Sequence, residues 1–237
     1  MAEAVKELGD IWIVAPDTER SGVSHSFTLM VPLRSFHFPR NGFDNVFAIT
    51  GTPVDAAKFA LRGLLPRSPD LVLSGINRGE NTGVNLLYSG TIAGAMEGAI
   101  VGIPSIAISI AWSKLSRGAF DYSFAAKFAR KIAETTLTNG LPFGTMLNVN
   151  IPNLPADQIK GVSVTPQAES HYNEVIEKRQ DPRGDEYFWI SGINQMIDPN
   201  GDNDMQSVRN GHIAVTPICA RLTNESFLNE LKGWNLD

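Results

Sequence analysis

Short runs of apolar residues recur along the first 150 residues of the chain, and turn residues bound each of them. A continuous apolar run of four to six residues is typical of a parallel strand that is buried on both faces. Runs of this kind occupy 11–15, 70–74, 104–109 and, with polar interruptions, 146–150. The pattern predicts four strands of this kind.

Segments with helical spacing alternate with these runs. Thr52 and Pro53 supply an N-cap and a proline at the first helical position of one predicted helix. Thr91 is expected to cap a second helix, whose many glycines and alanines predict close packing on the sheet. A third helix is predicted over about 121–139, with Gly140 as its end. Strands that alternate with helices predict a three-layer, Rossmann-like α/β core with a mainly parallel sheet.

Two parts of the chain depart from this alternation. Residues 27–50 are typical of a β-hairpin extension around Asn41 and Gly42, a strong turn pair. The last part contains extended segments, a polar loop, a strand and a final helix, at 161–190, 194–211, 213–215 and 224–234. We therefore expect a core over 1–160, and a β-rich excursion with the C-terminal helix over 161–237, in the same domain.

Composition and charge narrow the class of protein. The chain has 237 residues, of which 43% are hydrophobic and 19% charged, as in an ordinary globular protein. A net charge of −5 argues against a non-specific nucleic-acid binder, which needs a basic face. No apolar run reaches the roughly 20 residues of a membrane helix. One cysteine, Cys219, cannot form an internal disulfide, so we expect a cytoplasmic location.

Glycine-rich polar turns follow three of the predicted strands, at 15–22, 50–53 and 74–83. Ligands bind at the carboxyl ends of strands in open parallel sheets, and glycines such as Gly75 let the backbone approach a ligand closely. The third turn continues to Ser89, Gly90 and Thr91 at a helix start, where free N–H groups attract anions. These three residues are therefore predicted to bind a phosphate group. A capped helix after a surface loop explains the same segment without a ligand.

Six motifs in register resemble the SurE survival-protein family of 5′-nucleotidases, and the likeness covers essentially the whole chain. The segment Ser-Gly-Ile-Asn-Arg-Gly-Glu-Asn-Thr-Gly at 74–83 is the longest of the glycine-rich turns among them. The others lie at 15–22, 51–55, 88–98, 147–152 and 181–190, and Val215-Thr216-Pro217 follows.

The resemblance implies hydrolysis of nucleoside 5′-monophosphates, and of 3′-monophosphates, with Mg²⁺ or Mn²⁺ as cofactor. It places Ser21 and Asn77 among the metal ligands, and Ser89, Gly90 and Thr91 at the phosphate. It also implies homodimers or homotetramers, built in part by exchange of C-terminal elements from 161–237.

One element of the family pattern has no counterpart here. The family's acidic Asp-Asp pair belongs to a turn before the first helix, and residues 1–8 read as the later turns of that helix without a capping residue. The catalytic residues are therefore unknown, and Asp17 or Glu80 would have to replace the pair. We expect a shortened gene model that lacks the first strand, whose loss would expose unpaired ladder groups. The codons upstream of Met1 test this hypothesis, because they should encode a strand and the Asp-Asp turn in frame.

Other functions are open at this point. His25 lies close in sequence to Ser21 and could touch substrate, and Arg20 and Arg78 could bind a nucleotide's phosphate or act only as solvated loop charges. A serine hydrolase would use Ser89 or Ser21 as nucleophile, but no nucleophile-elbow motif is present. Without the acidic pair, the chain could also bind nucleotides without hydrolysing them, or serve only as an oligomer partner.

Overall fold

The computed structural model describes residues 1–112 and 120–236. Strands and helices alternate through the first part of these ranges, as the hydrophobic pattern predicts. The strands are β1 (Ile13–Pro16), β2 (Ser35–His37), β3 (Val46–Ile49), β4 (Val72–Arg78), β5 (Ser105–Ile110), β6 (Thr145–Ile151), β7 (Val162–Val164), β8 (Ser170–Gln180), β9 (Glu186–Met196) and β10 (Ile213–Cys219). The α-helices are α1 (Ala2–Val5), α2 (Pro53–Phe59), α3 (Gly90–Ile100), α4 (Tyr122–Asn139), α5 (Asp204–Arg209) and α6 (Glu225–Leu231).

The larger sheet has five strands in the order β4-β5-β6-β10-β7. β4, β5 and β6 run parallel, while β10 is antiparallel to β6 and parallel to β7. This mixed but mainly parallel sheet, with helices packed on it, confirms the predicted α/β fold class.

The smaller sheet has three strands in the order β1-β3-β2. β1 and β3 are parallel, and β2 and β3 are antiparallel. Between β2 and β3, Asn41 and Gly42 both have positive φ, 52° and 76°, as a tight hairpin turn requires. The second strand of the hairpin, β3, therefore pairs with β2 in antiparallel and with β1 in parallel orientation.

A cleft separates the two sheets. Over the described ranges, β1 pairs only with β3 and β4 only with β5, so that each has one free edge. These edges border a cavity of about 440 Å³, which residues of α2 and α3 also line. No ladder of main-chain hydrogen bonds therefore joins the two halves of the core in this part of the chain.

The core lies around β5, whose six residues are all buried. Ile106, Ile108 and Ile110 pack with Phe128 and other residues of α4 on one side. On the other side, α3 packs against the sheet through small residues. A Cβ added to Gly98 would lie 2.4 Å from Ser105 Oγ, which confirms the close packing that the sequence predicts for this helix.

The helix ends follow the capping signals. Thr52 forms a capping box with Asp55, and Pro53 occupies the first helical position of α2. Asp121 accepts a hydrogen bond from the Ser123 backbone N–H at 2.9 Å and caps α4, which ends at Gly140 with φ of 70°. Both helices therefore begin where the sequence places them.

The second half of the chain corrects one prediction. The polar loop predicted over 194–211 contains the end of β9 and all of α5. The short helix forms because Asn203 caps it, by accepting a hydrogen bond from the Gln206 backbone N–H. Before it, β8 and β9 pair along eleven residues each, and most of their side chains are exposed.

None of the helices in the described ranges is long and apolar enough to cross a membrane.

Candidate functional site

The N-terminus of α3 is built by Ser89 and Gly90. Ser89 is the N-cap: its Oγ accepts a hydrogen bond from the Ile92 backbone N–H at 3.2 Å. The prediction that Thr91 caps this helix is wrong, because Ser89 has the extended backbone of a cap and Thr91 already lies in the first turn. The first helical N–H groups have no acceptor within the helix, which makes this end suited to an anion.

Two other elements crowd the start of α3. A Cβ on Gly90 would lie 2.9 Å from Pro53 Cγ and 3.2 Å from Val23 Cγ2. Gly90 is therefore required for close packing between α3, the start of α2 and the loop after Ser21. The phosphate-binding role of Ser89, Gly90 and Thr91 stays a prediction, and the packing explains the glycine without it.

Gly75 approaches the neighbouring strand closely. Its φ is 130°, and an added Cβ would lie 2.3 Å from the Ile108 backbone oxygen. Gly75 and Thr91 both line the cleft between β1 and β4, whereas Ser89 and His25 border a separate cavity of about 1000 Å³. The residues predicted to bind phosphate thus face two different cavities, on either side of the start of α3.

The turn that carries Ser21 lies over this helix start. Ser21 itself is exposed, and its Oγ donates a hydrogen bond to Glu19 Oε1 at 3.5 Å. Three residues later, Ser24 fixes the loop: its Oγ donates to the Leu87 backbone oxygen at 2.6 Å, and its backbone N–H donates to the Tyr88 oxygen at 3.1 Å. These bonds place the Ser21 turn next to the segment that leads into Ser89.

Asn77 lies at the end of β4, near the same turn. Its Nδ2 donates a hydrogen bond to the Gly79 backbone oxygen at 2.8 Å. The next residue, Arg78, approaches Glu19 Oε1 with its Nη2 at 3.9 Å. The structure therefore brings the turns of Ser21 and Asn77 to one edge of the molecule, as the order of the strands predicts.

These residues do not by themselves fit a divalent metal ion. Mg²⁺ and Mn²⁺ prefer carboxylate oxygens, and both Ser21 and Asn77 are neutral. Among residues 1–112 and 120–236 there is no group of three or more His, Cys, Asp or Glu side chains that could hold a metal ion. Glu80 is already engaged, because its Oε2 accepts a hydrogen bond from the Trp112 backbone N–H at 2.7 Å. Asp17 accepts a hydrogen bond from the Thr18 hydroxyl at 3.4 Å.

Comparisons with known proteins agree with this architecture. A family model described as "Survival protein SurE" matches residues 1–174. The chain belongs to the SurE family. A protein of Chlorobium phaeobacteroides named "5'-nucleotidase SurE" is 45% identical over all of this chain and 90% of its own length. A protein of Symbiobacterium thermophilum with the same name is 44% identical over 96% of this chain and 88% of its own length.

A solved structure is similar as well. The crystal structure of the SurE protein from Aquifex aeolicus superimposes with a TM-score of 0.81 at 40% sequence identity, covering 97% of this chain and 90% of that one. The family resemblance inferred from the six motifs is therefore confirmed.

This SurE chain contains a buried carboxylate that the sequence did not mark as functional. Glu97 lies in α3, and its side chain is 8% exposed. One oxygen, Oε1, is 2.7 Å from His25 Nε2, and the other, Oε2, accepts from Lys58 Nζ at 2.7 Å. His25 therefore contacts a protein carboxylate, and Lys58 brings α2 into the same cluster. The sequence signal that could have identified Glu97 is that it is the only charged residue in α3.

A second carboxylate fixes the same loop from α2. Asp55 is 2% exposed and accepts hydrogen bonds from the backbone N–H groups of Thr28 and Thr52, each at 2.9 Å, and from both hydroxyls. Burial raises the pKa of this carboxyl, but the hydrogen bonds from Thr28 and Thr52 outweigh it and hold the pKa below the ordinary value. Asp55 lies in the first turn of α2, and its contacts with Thr28 connect this helix to the loop.

Buried polar side chains anchor the loop after Asn77. Asn81 contacts two strands. Its backbone N–H donates to Asn150 Oδ1 and its backbone oxygen accepts from Asn148 Nδ2, both on β6 at 2.8 Å, and its Nδ2 donates to Ser109 Oγ on β5 at 2.8 Å. Asp204 accepts from the Gly83 backbone N–H at 3.1 Å, and burial raises the pKa of its carboxyl against the effect of its N–H donors. The polar interruptions in the 146–150 run were the sequence signal for part of this network.

Proposed function

We propose that this chain is a phosphoric monoester hydrolase that releases phosphate from nucleoside 5′-monophosphates. The observation that carries the proposal is the start of α3, whose first N–H groups have no acceptor within the helix and lie beside the loop that follows Ser21, in a chain of the SurE family. The names of its relatives, "5'-nucleotidase SurE", support the same activity. We propose 3′-monophosphates as a second substrate class, from the family resemblance alone.

The start of α3 would hold the phosphate group. Backbone N–H groups of Gly90 and Thr91 point along the helix axis toward the ligand, and the helix dipole favours its negative charge. The Thr91 hydroxyl adds a donor, and Gly75 allows the backbone to approach. Arg78 and Arg20 are exposed and near this edge, where their charges would attract the anionic substrate.

The chemical step is not assigned to residues of this chain. The resemblance implies Mg²⁺ or Mn²⁺, which would polarise a phosphoryl oxygen and activate a water molecule. Ser21 and Asn77 supply only neutral oxygen ligands, and the described residues form no group of three or more His, Cys, Asp or Glu side chains that could hold such an ion.

This mismatch favours one alternative, namely a chain that binds nucleoside monophosphates without hydrolysing them. The test is phosphate release from AMP and from 3′-AMP with and without excess Mn²⁺, with a chelator control, next to calorimetric binding of AMP. Metal-dependent release supports the hydrolase. Binding without release at any metal concentration selects the alternative, and neither binding nor release contradicts both.

Assembly and location complete the proposal. We propose a homodimer or homotetramer with residues 161–237 at the interface. Exposed apolar side chains along the β8–β9 hairpin support it, since Phe188, Trp189 and Ile190 are 56%, 58% and 75% exposed. A cytoplasmic location is supported by the single, unpaired Cys219. Light scattering of the full chain tests the assembly.

A further inference from the structure

The two halves of the proposed site stand on different sheets. The Ser21 turn follows β1 in the three-stranded sheet, and α3 packs on β4 and β5 of the five-stranded sheet. No main-chain ladder joins β1 to β4 over the described ranges. Within the described ranges, helix packing and side-chain contacts connect the turn to α3 across this boundary.

Glu97 makes the buried part of that contact. It extends from α3, and both of its partners come from the other half: His25 from the loop after Ser21, and Lys58 from α2, which packs on β1. The Lys58 ammonium also lies 5.4 Å from the centre of the Phe27 ring, two residues beyond His25. One carboxylate thus joins the loop, α2 and α3.

Burial makes this contact stronger than the other charged contact across the boundary. A charge-assisted hydrogen bond gains strength where the local dielectric constant is low, and a buried carboxylate without partners is costly. Glu97 is 8% exposed and has a donor 2.7 Å from each oxygen. By contrast, Arg78 and Glu19 are 61% and 80% exposed and lie 3.9 Å apart, as in a weak surface pair.

We propose that Glu97, through His25 and Lys58, is a positioning residue that holds the Ser21 turn against the phosphate-binding start of α3. Its effect on ligand affinity rests on the proposed function, whereas its effect on the position of the loop does not. Glu97 itself need not touch the substrate, since it acts through the loop that carries Ser21.

Tryptic cleavage after Arg20 reports on the loop directly, because Arg20 is exposed and immediately precedes Ser21. In the full chain, Glu97→Gln keeps the side-chain shape but leaves one oxygen for two donors. We expect cleavage after Arg20 to accelerate about tenfold relative to cleavage after Arg130 within α4, because local opening becomes easier while the core stays folded.

Four further variants make this test specific. Glu3→Gln removes the same charge from an exposed pair with Lys6, and should leave the Arg20 rate unchanged. His25→Gln changes a partly exposed position, so this variant should still fold and can replace Glu97→Gln if the latter is too unstable to purify. It should also accelerate cleavage at Arg20. Lys58→Met should do the same, and Lys58→Arg, which keeps the cation, should restore a rate near that of the wild type.

Two cleavage results would overturn the proposal. One is an Arg20 rate that stays at the wild-type value in both Glu97→Gln and His25→Gln. The other is an equal acceleration at Arg20 and Arg130, which would show that Glu97 supports the whole fold rather than the loop.

Calorimetric titration with AMP tests the consequence for the ligand. If the wild type binds AMP, Glu97→Gln should weaken binding about tenfold, since a displaced turn no longer faces the phosphate. Unchanged affinity in a variant with a faster Arg20 cleavage would overturn the positioning role. If the wild type does not bind AMP, the proposed function fails, and the cleavage rates still decide whether Glu97 holds the loop.

Discussion

Two strands of this SurE chain, β5 in the five-stranded sheet and β1 in the three-stranded sheet, are buried to different extents. All six residues of β5 in the five-stranded sheet are buried, whereas none of the four residues of β1 in the three-stranded sheet is fully buried. The helix that would bind phosphate, α3, packs on the five-stranded sheet, whereas the Ser21 turn follows β1 of the three-stranded sheet. The difference shows that α3 packs on a fully buried strand, whereas the Ser21 turn follows a half-buried one.

The largest expected difference is between matched truncations in the two sheets. Ile108→Ala, in the centre of β5, should lower the free energy of unfolding by about 4 kcal/mol, because it leaves a cavity among fully buried side chains. Ile13→Ala, in the half-buried β1, should cost about 1 kcal/mol, since less apolar area is lost. Urea unfolding measures both, and equal losses would contradict the comparison.

A smaller effect is expected from the carboxylate that joins α2 to the loop. Asp55→Asn removes charge-assisted hydrogen bonds from Thr28 and Thr52, and should lower the free energy of unfolding by about 2 kcal/mol at neutral pH. The matched control is Asp70→Asn, whose carboxylate is 71% exposed in a surface pair with Arg67. The same urea series measures this pair of variants.

The pH dependence of Asp55 has a defined sign. Its folded pKa lies below the ordinary value of 3.8, so the folded state favours the ionised carboxylate. This contribution is fully present above the unfolded pKa, and is lost as the pH falls through the lower folded pKa. In the acid range, below 3.8, the wild type should therefore lose its stability advantage over Asp55→Asn. A constant difference across that range would contradict the assignment.

The N-cap of α3 should have a smaller effect on stability and a specific effect on binding. Ser89→Ala removes the acceptor for the Ile92 backbone N–H and should cost about 1 kcal/mol. Asp121→Ala removes the cap of α4 at a similar cost. Only the first variant should also weaken binding of AMP in calorimetry. If both variants weaken it equally, the start of α3 is not the phosphate site.

The smallest effect is expected for the exposed pair that spans the two halves. Arg78→Gln removes the contact with Glu19, and should change the free energy of unfolding by less than about 0.5 kcal/mol, because solvent screens the pair. Tryptic cleavage after Arg20 should be nearly unchanged. An acceleration as large as that of Glu97→Gln would show that surface charge holds the turn.

Much of the fold could be predicted from local signals. The apolar runs identify β1, β4, β5 and β6 because strands buried on both faces need continuous apolar residues. Capping residues mark the starts of α2 and α4. The helix α5 was missed because its six residues are mostly polar in sequence, and only the fold shows that Asp204 and Met205 are buried.

The site was predictable only in part. Strand order and glycine-rich turns bring the turns of Ser21 and Asn77 to one edge, whereas Ser89 and Thr91 border different cavities. The partners of Glu97 could not be found, since His25 and Lys58 lie 72 and 39 residues away along the chain. Such contacts depend on the packing of α2 and the loop against α3, which no local pattern encodes.

The most direct test of the central claim, that Glu97 holds the Ser21 turn through His25, is a double-mutant cycle. His25→Gln, Glu97→Gln and the double variant are compared by the free energy of opening at Arg20, obtained from tryptic cleavage rates of the full chain. Direct contact predicts a coupling energy of about 1–2 kcal/mol, so that the double variant opens little more easily than Glu97→Gln alone. Effects that add to within about 0.3 kcal/mol would contradict the account.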